Sequence, residues 1–394
     1  MKAKKIFTYA FVALMCLALV VGCSPKAPAP DATKAADVIK IGGNFELTGG
    51  VAEFGKKGEM GAKLAIKEAN AKGGILGKKI EYVGADNKSE ASESTLATTK
   101  LVTQDKVVGI IGPMTSTNTL AAVQVLNDNK VPLITPTGTN ATVTVKADGT
   151  LNKWMFRACF IDPFQGEVAA NFAIDQLKST KASIIIDQKS DYAKGLAASF
   201  KETFEKAGKQ VISTEQYVAG QDKDFRSILT NIKAKNPDVI FVPGYYGEVG
   251  LIVKQARDLG MKMAMLGGDG WGDDKLLDIA GKDSLNNTFY VDHVASDDPA
   301  LAAFAASFKA EYNQDINSFA VLGYDAAKMM IAAIEKAGST DTAKIQAALE
   351  TMSGFKGVSG ESTIDPKTHN PKKSASIIKF VDGKKVFAAR VNPK

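Results

Sequence analysis

Short apolar runs alternate with longer amphipathic segments from residue 38 to residue 266. The apolar runs end near Gly, Pro, Asn or Asp, which is typical of strands buried in a parallel sheet. The segments between them carry apolar residues at helical spacing, and several stop at a glycine, as helices commonly do. The pattern predicts strands at 38–45, 79–86, 106–112, 131–135, 182–187, 210–214, 237–242 and 263–266, and helices at 54–72, 90–104, 192–207, 225–235 and 249–259.

The order of these elements predicts an α/β fold with two similar lobes. Strands that alternate with helices form parallel, doubly wound sheets, and the series from 182 to 266 repeats the layout of the series from 38 to 135. An extended segment at 154–160 separates the two series, and we expect the chain to cross between the lobes at 160–164. After residue 287 the pattern predicts a strand at 288–291, helices at 300–312, 319–337 and 341–351, and two strands, 376–381 and 385–389, around the hairpin turn Asp382-Gly383.

Two hydroxyl-rich turns follow the third and fourth predicted strands. The first turn places Ser116, Thr117 and Asn118 where a helix should begin, and the second runs from Thr135 to Asn140. Free N–H groups at a helix start, with hydroxyls beside them, suit a carboxylate or a phosphate. Ligands of open α/β sheets bind beyond the carboxyl ends of the strands, so both turns lie at the expected site. The alternative is that these hydroxyls only cap a helix and a turn.

The first residues of the chain are typical of an export signal. Basic residues precede an apolar run at 6–21, which is a little short for a transmembrane span. The Gly22-Cys23 pair after this run resembles a bacterial lipobox, which implies a signal peptide at 1–22, cleavage before Cys23 and lipid on its sulfur. Residues 23–37 are then a lipidated, polar tether that has nothing to pack. A plain signal peptide and a membrane anchor are the alternatives.

Composition and charge argue against several classes of function. The chain has 394 residues, 45% of them hydrophobic, and a net charge of +6, half of which comes from Lys2, Lys4 and Lys5. The remainder has no basic cluster, so nucleic-acid binding is not expected. The two His and three Cys residues show no zinc or EF-hand spacing, and the chain lacks dinucleotide and nucleophile-elbow motifs. We therefore expect no metal, no cofactor and no enzymatic activity.

Across nearly its whole mature length, the chain resembles the leucine/isoleucine/valine-type substrate-binding proteins of ABC importers. The resemblance rests on ordered segments that include Asn70-Ala-Lys-Gly-Gly-Ile-Leu-Gly77, Ile111-Gly-Pro-Met-Thr-Ser-Thr-Asn-Thr119 and Gly267-Gly-Asp-Gly270. It implies the type I periplasmic binding protein fold, in which two doubly wound parallel-sheet lobes, joined by three hinge crossings, close on a small solute. The first lobe is then expected to comprise 38–159 plus 290–357, and the second 160–289 plus 358–394.

The same resemblance implies which residues bind the solute. The carboxylate partners of an amino acid fall on Ser116, Thr115 and Thr139, and the ammonium partners on the Thr137 carbonyl and Asp269. Leucine-type members carry Glu at the last position, so the shorter Asp must bring the ligand closer or accept through water. The expected aromatic contacts are Tyr245, Tyr192, Phe54 and Phe319, and Trp271 can reach the same pocket. The alternatives are a solvated turn acid at position 269, a packed surface tyrosine at position 245 and core packing for the phenylalanines.

The resemblance implies a monomeric, lipid-anchored receptor outside the cytoplasm that captures an amino acid and delivers it to an ABC permease. Leu, Ile or Val is the first expectation, because rings rather than charges line the presumed pocket. A second hypothesis keeps the fold but changes the solute to an amide, urea, an aromatic acid or a short peptide. A third hypothesis is an enzyme or a sensory module, which the missing catalytic constellation and the missing signalling segment disfavour.

Overall fold

The computed structural model of the chain describes residues 38–393. The predicted signal peptide, the tether and Cys23 lie outside the described residues. Within 38–393, none of the helices is both long enough and apolar enough to span a membrane.

Strands and helices alternate through most of this range. The strands are β1 Ile39–Phe45, β2 Ile80–Asp86, β3 Ile110–Ile111, β4 Leu133–Thr135, β5 Met155–Arg157, β6 Lys181–Asp187, β7 Gln210–Tyr217, β8 Val239–Phe241, β9 Ala264–Gly267, β10 Thr288–Asp292, β11 Phe355–Gly357, β12 Gly360–Ser362, β13 Ala375–Val381 and β14 Lys384–Val391. The α-helices are α1 Ala52–Ala71, α2 Ala91–Thr103, α3 Ser116–Asn129, α4 Asp162–Asp175, α5 Asp191–Lys206, α6 Arg226–Lys235, α7 Tyr246–Asp258, α8 Lys275–Ala280, α9 Ala302–Tyr312, α10 Ser318–Ala337 and α11 Thr342–Glu350.

The first sheet is parallel throughout, with the strand order β2-β1-β3-β4-β5. The chain moves outward from β1 to β2 and then returns to β3 on the other side, so the strand order reverses between β1 and β3. A crevice forms at such a reversal, beyond the carboxyl ends of the strands, and open α/β sheets bind their ligands there. The turn after β1 and the turn after β3 therefore meet at one edge.

The second sheet has seven strands in the order β14-β13-β10-β9-β8-β6-β7. Strands β6 to β10 run parallel, whereas β13 and β14 add an antiparallel hairpin. Asp382 and Gly383 both have positive φ at the tip of this hairpin, as a tight Asp-Gly turn requires. The predicted two-lobed, doubly wound fold is confirmed.

Glycines allow α1 and α10 to pack closely on the first lobe. A Cβ at Gly61 would lie 2.1 Å from the Ala320 carbonyl oxygen, and a Cβ at Gly323 would lie 2.2 Å from the Gly58 carbonyl oxygen. Larger residues at these positions would force the helices apart. Helices α9 to α11 thus complete the first lobe, although they follow the second sheet's strand β10 in sequence.

The chain passes between the lobes three times, after β5, after β10 and between β12 and β13. The predicted boundary between 289 and 290 is wrong in detail, because β10 pairs along its length with β9 and β13 and belongs entirely to the second sheet. The predicted boundary at 358 is also too early. Asp325 of α10 accepts hydrogen bonds from the Val358 and Ser359 N–H groups at 2.8 and 2.9 Å, which keeps that segment on the first lobe.

The sequence pattern did not predict α4, which begins where a simple crossing was expected. This helix has no clear polar face, because it buries Asp162 and Gln165 together with Val168 and several alanines. Helical periodicity is recognisable only when one face stays polar. A helix buried on several sides gives no such signal.

Candidate ligand-binding cleft

A small cavity lies between the two lobes, which we call the cleft cavity. The first lobe contributes the starts of α1, α3 and α10 and the turn after β4. The second lobe contributes the starts of α5 and α7 and the turn after β9. The lining residues are Phe54, Met114, Thr115, Ser116, Thr137, Tyr192, Tyr245, Asp269, Gly270 and Phe319.

Most of the predicted site residues are thus brought together around one cavity. Two of them, Thr139 and Trp271, are not among its lining residues. Two others that the sequence did not single out, Met114 and Gly270, do line it. They lie next to predicted residues in the chain, so the same turns carry them.

The start of α3 forms one wall of the cleft cavity. Thr115 precedes the helix in an extended conformation, and Ser116 is the first helical residue. The Ser116 hydroxyl accepts a hydrogen bond from the Asn140 N–H group at 3.1 Å, which joins the two hydroxyl-rich turns. A helix start offers N–H groups that lack partners within the helix, together with a partial positive charge. This wall therefore favours an anion.

Glu46, which the sequence interpretation missed, fixes the geometry of this wall. Its carboxylate accepts hydrogen bonds from the Met114 and Thr115 N–H groups, the Thr115 hydroxyl and the Asn118 side-chain amide, at 2.8 to 3.1 Å. The Thr115 hydroxyl is therefore committed to Glu46, which leaves Ser116 as the hydroxyl of this turn that can serve a ligand. Burial raises the pKa of Glu46. Its position directly after β1, at the reversal of strand order, was the available signal.

A buried arginine, Arg157, donates hydrogen bonds to the turn after β4. The Arg157 guanidinium donates to the Gly138 and Asn140 carbonyls, both at 2.8 Å. Within this turn, the Thr137 hydroxyl donates to the Met114 carbonyl at 2.7 Å. Arg157 thus stabilises the loop that carries the predicted Thr137 and Thr139, and burial lowers the pKa of this arginine.

Thr139 lies behind the cleft cavity and is fully buried. Its hydroxyl has no hydrogen-bond partner of ordinary geometry among the described residues, and the same is true of the nearby Asp162 carboxylate. Burial raises the pKa of Asp162 well above its usual value, and the negative charge of Asp269 acts in the same direction. The Thr139 hydroxyl acts in the opposite direction on this pKa, so the acceptor beside it is the Asp162 carboxylate.

Asp269 forms the opposite wall, at the end of β9. Only 3% of the residue is exposed, so it is not the solvated turn acid of the alternative interpretation. Its Oδ1 accepts from the Gln165 side-chain amide at 2.9 Å, and its Oδ2 lies 3.1 Å from Nε2 of His293. Within residues 38–393 this carboxylate has no ion pair to Lys or Arg, and a carboxylate that faces a buried cavity favours a cation there.

Aromatic rings close the space between the two walls. Tyr245 stacks on Tyr192 with 5.3 Å between the ring centroids, and it contacts Phe54 edge-on at 5.6 Å. Phe54 in turn stacks on Phe319 at 4.1 Å. Burial raises the pKa of both tyrosines well above the usual value, so their phenols are neutral near pH 7. The rings give the cavity an uncharged, apolar surface that can also contact a cation through the ring faces.

Trp271 packs in the protein core rather than along the cleft cavity. The residue is fully buried, and its indole N–H group donates to the Val242 carbonyl at 3.0 Å. We expect Trp271→Phe to lower the free energy of unfolding of the ligand-free protein by about 1–2 kcal/mol, since it loses volume and this hydrogen bond. Urea denaturation measures the effect. The control Leu96→Ala, at an exposed position, should change it by less than about 0.5 kcal/mol. Unchanged stability together with lost ligand affinity would instead put Trp271 in the ligand site.

Hydrogen bonds join the lobes on two sides of the cleft cavity. On one side, the Asp191 N–H group donates to the Thr117 hydroxyl at 3.0 Å, and the Asn140 side-chain amide donates to the Asp191 carbonyl at 2.7 Å. On the other side, the Asn317 side-chain amide donates to Asp273 at 3.1 Å. The structure is therefore a closed form, in which one small molecule can contact both lobes.

Comparisons with known proteins agree with this architecture. A protein of Rhizobium johnstonii, the Leu/Ile/Val-binding protein BraC3, is 34% identical over 354 residues, which are 89% of this chain and 94% of that protein. The crystal structure of the branched-chain amino acid transporter substrate binding protein LivJ from Streptococcus pneumoniae, in complex with isoleucine, is 38% identical. It superposes with a TM-score of 0.84 and covers 90% of this chain and 100% of that one. The leucine binding protein LivK from Thermotoga maritima is 32% identical, with a TM-score of 0.83 over 90% of this chain and 99% of that one.

The sequence pattern of the periplasmic binding protein family matches residues 38–385. Members of this family are solute-binding proteins that act outside the cytoplasm. The match includes the first sheet, the second sheet except most of β14, and all three passages between the lobes, and with them every residue that lines the cleft cavity. The chain therefore belongs to the periplasmic binding protein family.

Proposed function

We propose that this protein binds an α-amino acid with an apolar side chain, as the zwitterion, and delivers it to an ABC permease. One observation carries the proposal. The buried carboxylate of Asp269, which is bonded to Gln165 and His293 but to no Lys or Arg among the described residues, and the helix start at Ser116 line one cavity from opposite lobes. A molecule that carries both an ammonium and a carboxylate matches this pair of walls.

The charges of a zwitterion leave water only where both are matched. The α3 N-terminus and the Ser116 hydroxyl suit the ligand carboxylate, whereas Thr139, which does not line the cavity, supports the turn behind them. Asp269, the Thr137 carbonyl and the Tyr245 ring suit the ammonium. No lysine or arginine lines the cavity, so an acid that lacks an amine would leave Asp269 unmatched.

The remaining lining residues suit an apolar side chain. Phe54, Phe319 and Met114 offer aromatic and thioether surfaces rather than charges. Burial of an aliphatic side chain against such surfaces is favourable by roughly 1.5–3 kcal/mol. Leu, Ile and Val fit this description, and the names of the relatives point the same way.

Closure of the lobes is the proposed mechanism. The ligand contacts both lobes only in the closed form, so it shifts the equilibrium toward that form by its differential affinity. The permease then recognises the closed form. In this proposal the receptor is a monomer and is held at the membrane by lipid on Cys23, since a diacylated cysteine anchors more stably than a single chain.

Isothermal titration of the protein, after removal of any bound ligand, with each of the twenty amino acids tests this function. We expect a dissociation constant in the micromolar range or lower for at least one of Leu, Ile and Val, and none measurable for Asp, Glu, Lys or Arg. Urea and 4-hydroxybenzoate are added to the panel as representatives of the other solute classes. Binding no tighter than millimolar for every amino acid contradicts the proposal, and tight binding of either added solute supports the second hypothesis instead.

A further inference from the structure

We infer that His293 is a positioning residue for the amine of the ligand, which it serves by orienting Asp269. The inference rests on the proposed function, because it concerns the group that receives the ligand ammonium. His293 does not line the cleft cavity and would act only through Asp269.

The contact between His293 and Asp269 is enclosed on all sides. The side chains are 3% and 5% exposed, and Nε2 of His293 lies 3.1 Å from Oδ2 of Asp269. The proposed function requires a carboxylate that only accepts hydrogen bonds, and Nε2 of His293 is the nitrogen placed to donate to it. The other oxygen, Oδ1, accepts from Gln165 at 2.9 Å. The two donors together fix the plane of a carboxylate that has one rotatable bond fewer than a glutamate.

Both donors lie at passages of the chain between the lobes. His293 directly follows β10, where the second passage begins. Its ring centroid lies 3.8 Å from that of Phe160 in the first passage. Gln165 is in the first turn of α4, just after that passage, and its amide also donates to the Val291 carbonyl at 3.3 Å. The orientation of Asp269 therefore depends on two segments that must rearrange when the lobes open.

This placement has a consequence for ligand selectivity. A carboxylate that is oriented before the ligand arrives loses less freedom on binding, so it discriminates more strongly in favour of an amine. Removal of the His293 donor should weaken binding of an amino acid more than binding of the same molecule without its amino group. A residue that merely packs between the passages would affect both molecules alike.

The test compares L-leucine with 4-methylpentanoate, which is leucine without its amino group, by titration or by competition. In the wild-type protein we expect leucine to bind much more tightly. His293→Leu should reduce the ratio of the two dissociation constants by about tenfold, since hydrogen bonds to a charged group are the strong ones. His293→Gln, whose amide can donate in place of Nε2, should restore most of the ratio. If His293→Leu does not fold, His293→Asn takes its place, because its amide is one methylene too short to reach.

His369 provides the matched control. It is also a buried histidine that stacks on a phenylalanine, Phe156, with 4.1 Å between the ring centroids, but it bonds the Met155 carbonyl and does not contact Asp269. His369→Leu should lower stability and leave the ratio unchanged. An unchanged ratio in His293→Leu, or no recovery in His293→Gln, overturns the inference. Equal affinity of the wild-type protein for both molecules, or no binding of any of the twenty amino acids, overturns the proposed function as well, so the two failures are distinguishable.

Discussion

Replacement of Asp269 by Asn should weaken amino-acid binding by ~2–5 kcal/mol, as expected when one member of a desolvated charge pair is removed. The substitution keeps the shape of the side chain and an oxygen that can accept from His293 or Gln165, but it removes the charge opposite the ligand ammonium. The ammonium would then be buried without a counter-charge, which is the costly situation. Isothermal titration of L-leucine into wild-type and D269N protein measures the difference.

Asp187 supplies the matched control for this substitution. It is a buried aspartate of the same lobe and lies at the end of strand β6, as Asp269 lies just after the end of β9. Its Oδ1 accepts hydrogen bonds from the Lys189 and Ala219 N–H groups. It does not line the cleft cavity. We expect Asp187→Asn to leave the affinity for leucine within about twofold, since substitutions away from a site rarely couple to it. Leucine affinity that survives Asp269→Asn would remove the basis for the amine in the proposed function.

The sequence was sufficient to predict the fold, because both lobes repeat one local pattern. Short apolar runs, helical periodicity and terminal glycines are local signals, and parallel strands with intervening helices allow few topologies. The longest element that these signals missed was α4, and the short helix α8 and the pair β11 and β12 were not predicted either. In α4, the burial of Asp162 and Gln165 removes the polar face on which periodicity depends.

Most residues that line the candidate site were predicted from the sequence, but the residues that hold them in place were not. Ser116, Thr137, Tyr245 and Asp269 lie at strand ends or helix starts, where position along the chain already indicates the edge of the sheet. Their supports come from distant parts of the sequence, and no local pattern reports such pairs. Glu46 bonds Thr115 across 69 positions, and Gln165 bonds Asp269 across 104.

Trp271 was placed near the pocket by its position in the sequence, and the structure places it in the core. It lies two residues after Asp269, so proximity in sequence made it a candidate for the same pocket. The 3₁₀ turn at Asp269–Trp271 directs the two side chains differently, and the indole packs over Gly267 in the core. A Cβ at Gly267 would lie 2.1 Å from the indole nitrogen, so a glycine there is a condition for this packing.

Arg157 connects the stability of the first lobe with its ability to bind a ligand. Its guanidinium is fully buried and bonds the Gly138 and Asn140 carbonyls rather than an acid. Hydrogen bonds from a charged donor contribute about 1.5–3 kcal/mol each, so Arg157→Met, which keeps most of the volume, should lower the free energy of unfolding by about 3–5 kcal/mol. Urea denaturation of the ligand-free protein measures this loss. The exposed Arg226→Met, which breaks only a surface ion pair with Asp224, should cost less than about 1 kcal/mol.

The same substitution should also weaken leucine binding, by about tenfold, because the loop between Thr137 and Asn140 loses the bonds that pre-order it. Titration at a temperature where the variant remains folded separates this effect from unfolding. If Arg157→Met lowers stability but leaves affinity unchanged, the loop is ordered by the Thr137 and Asn140 contacts alone, and the arginine serves only the core. If stability and affinity fall together, the turn after β4 that is proposed to contact the ligand depends on a residue of the neighbouring strand β5. The opposite wall would then be organised in the same way, since Asp269 is held by His293 and Gln165, which do not line the cavity themselves.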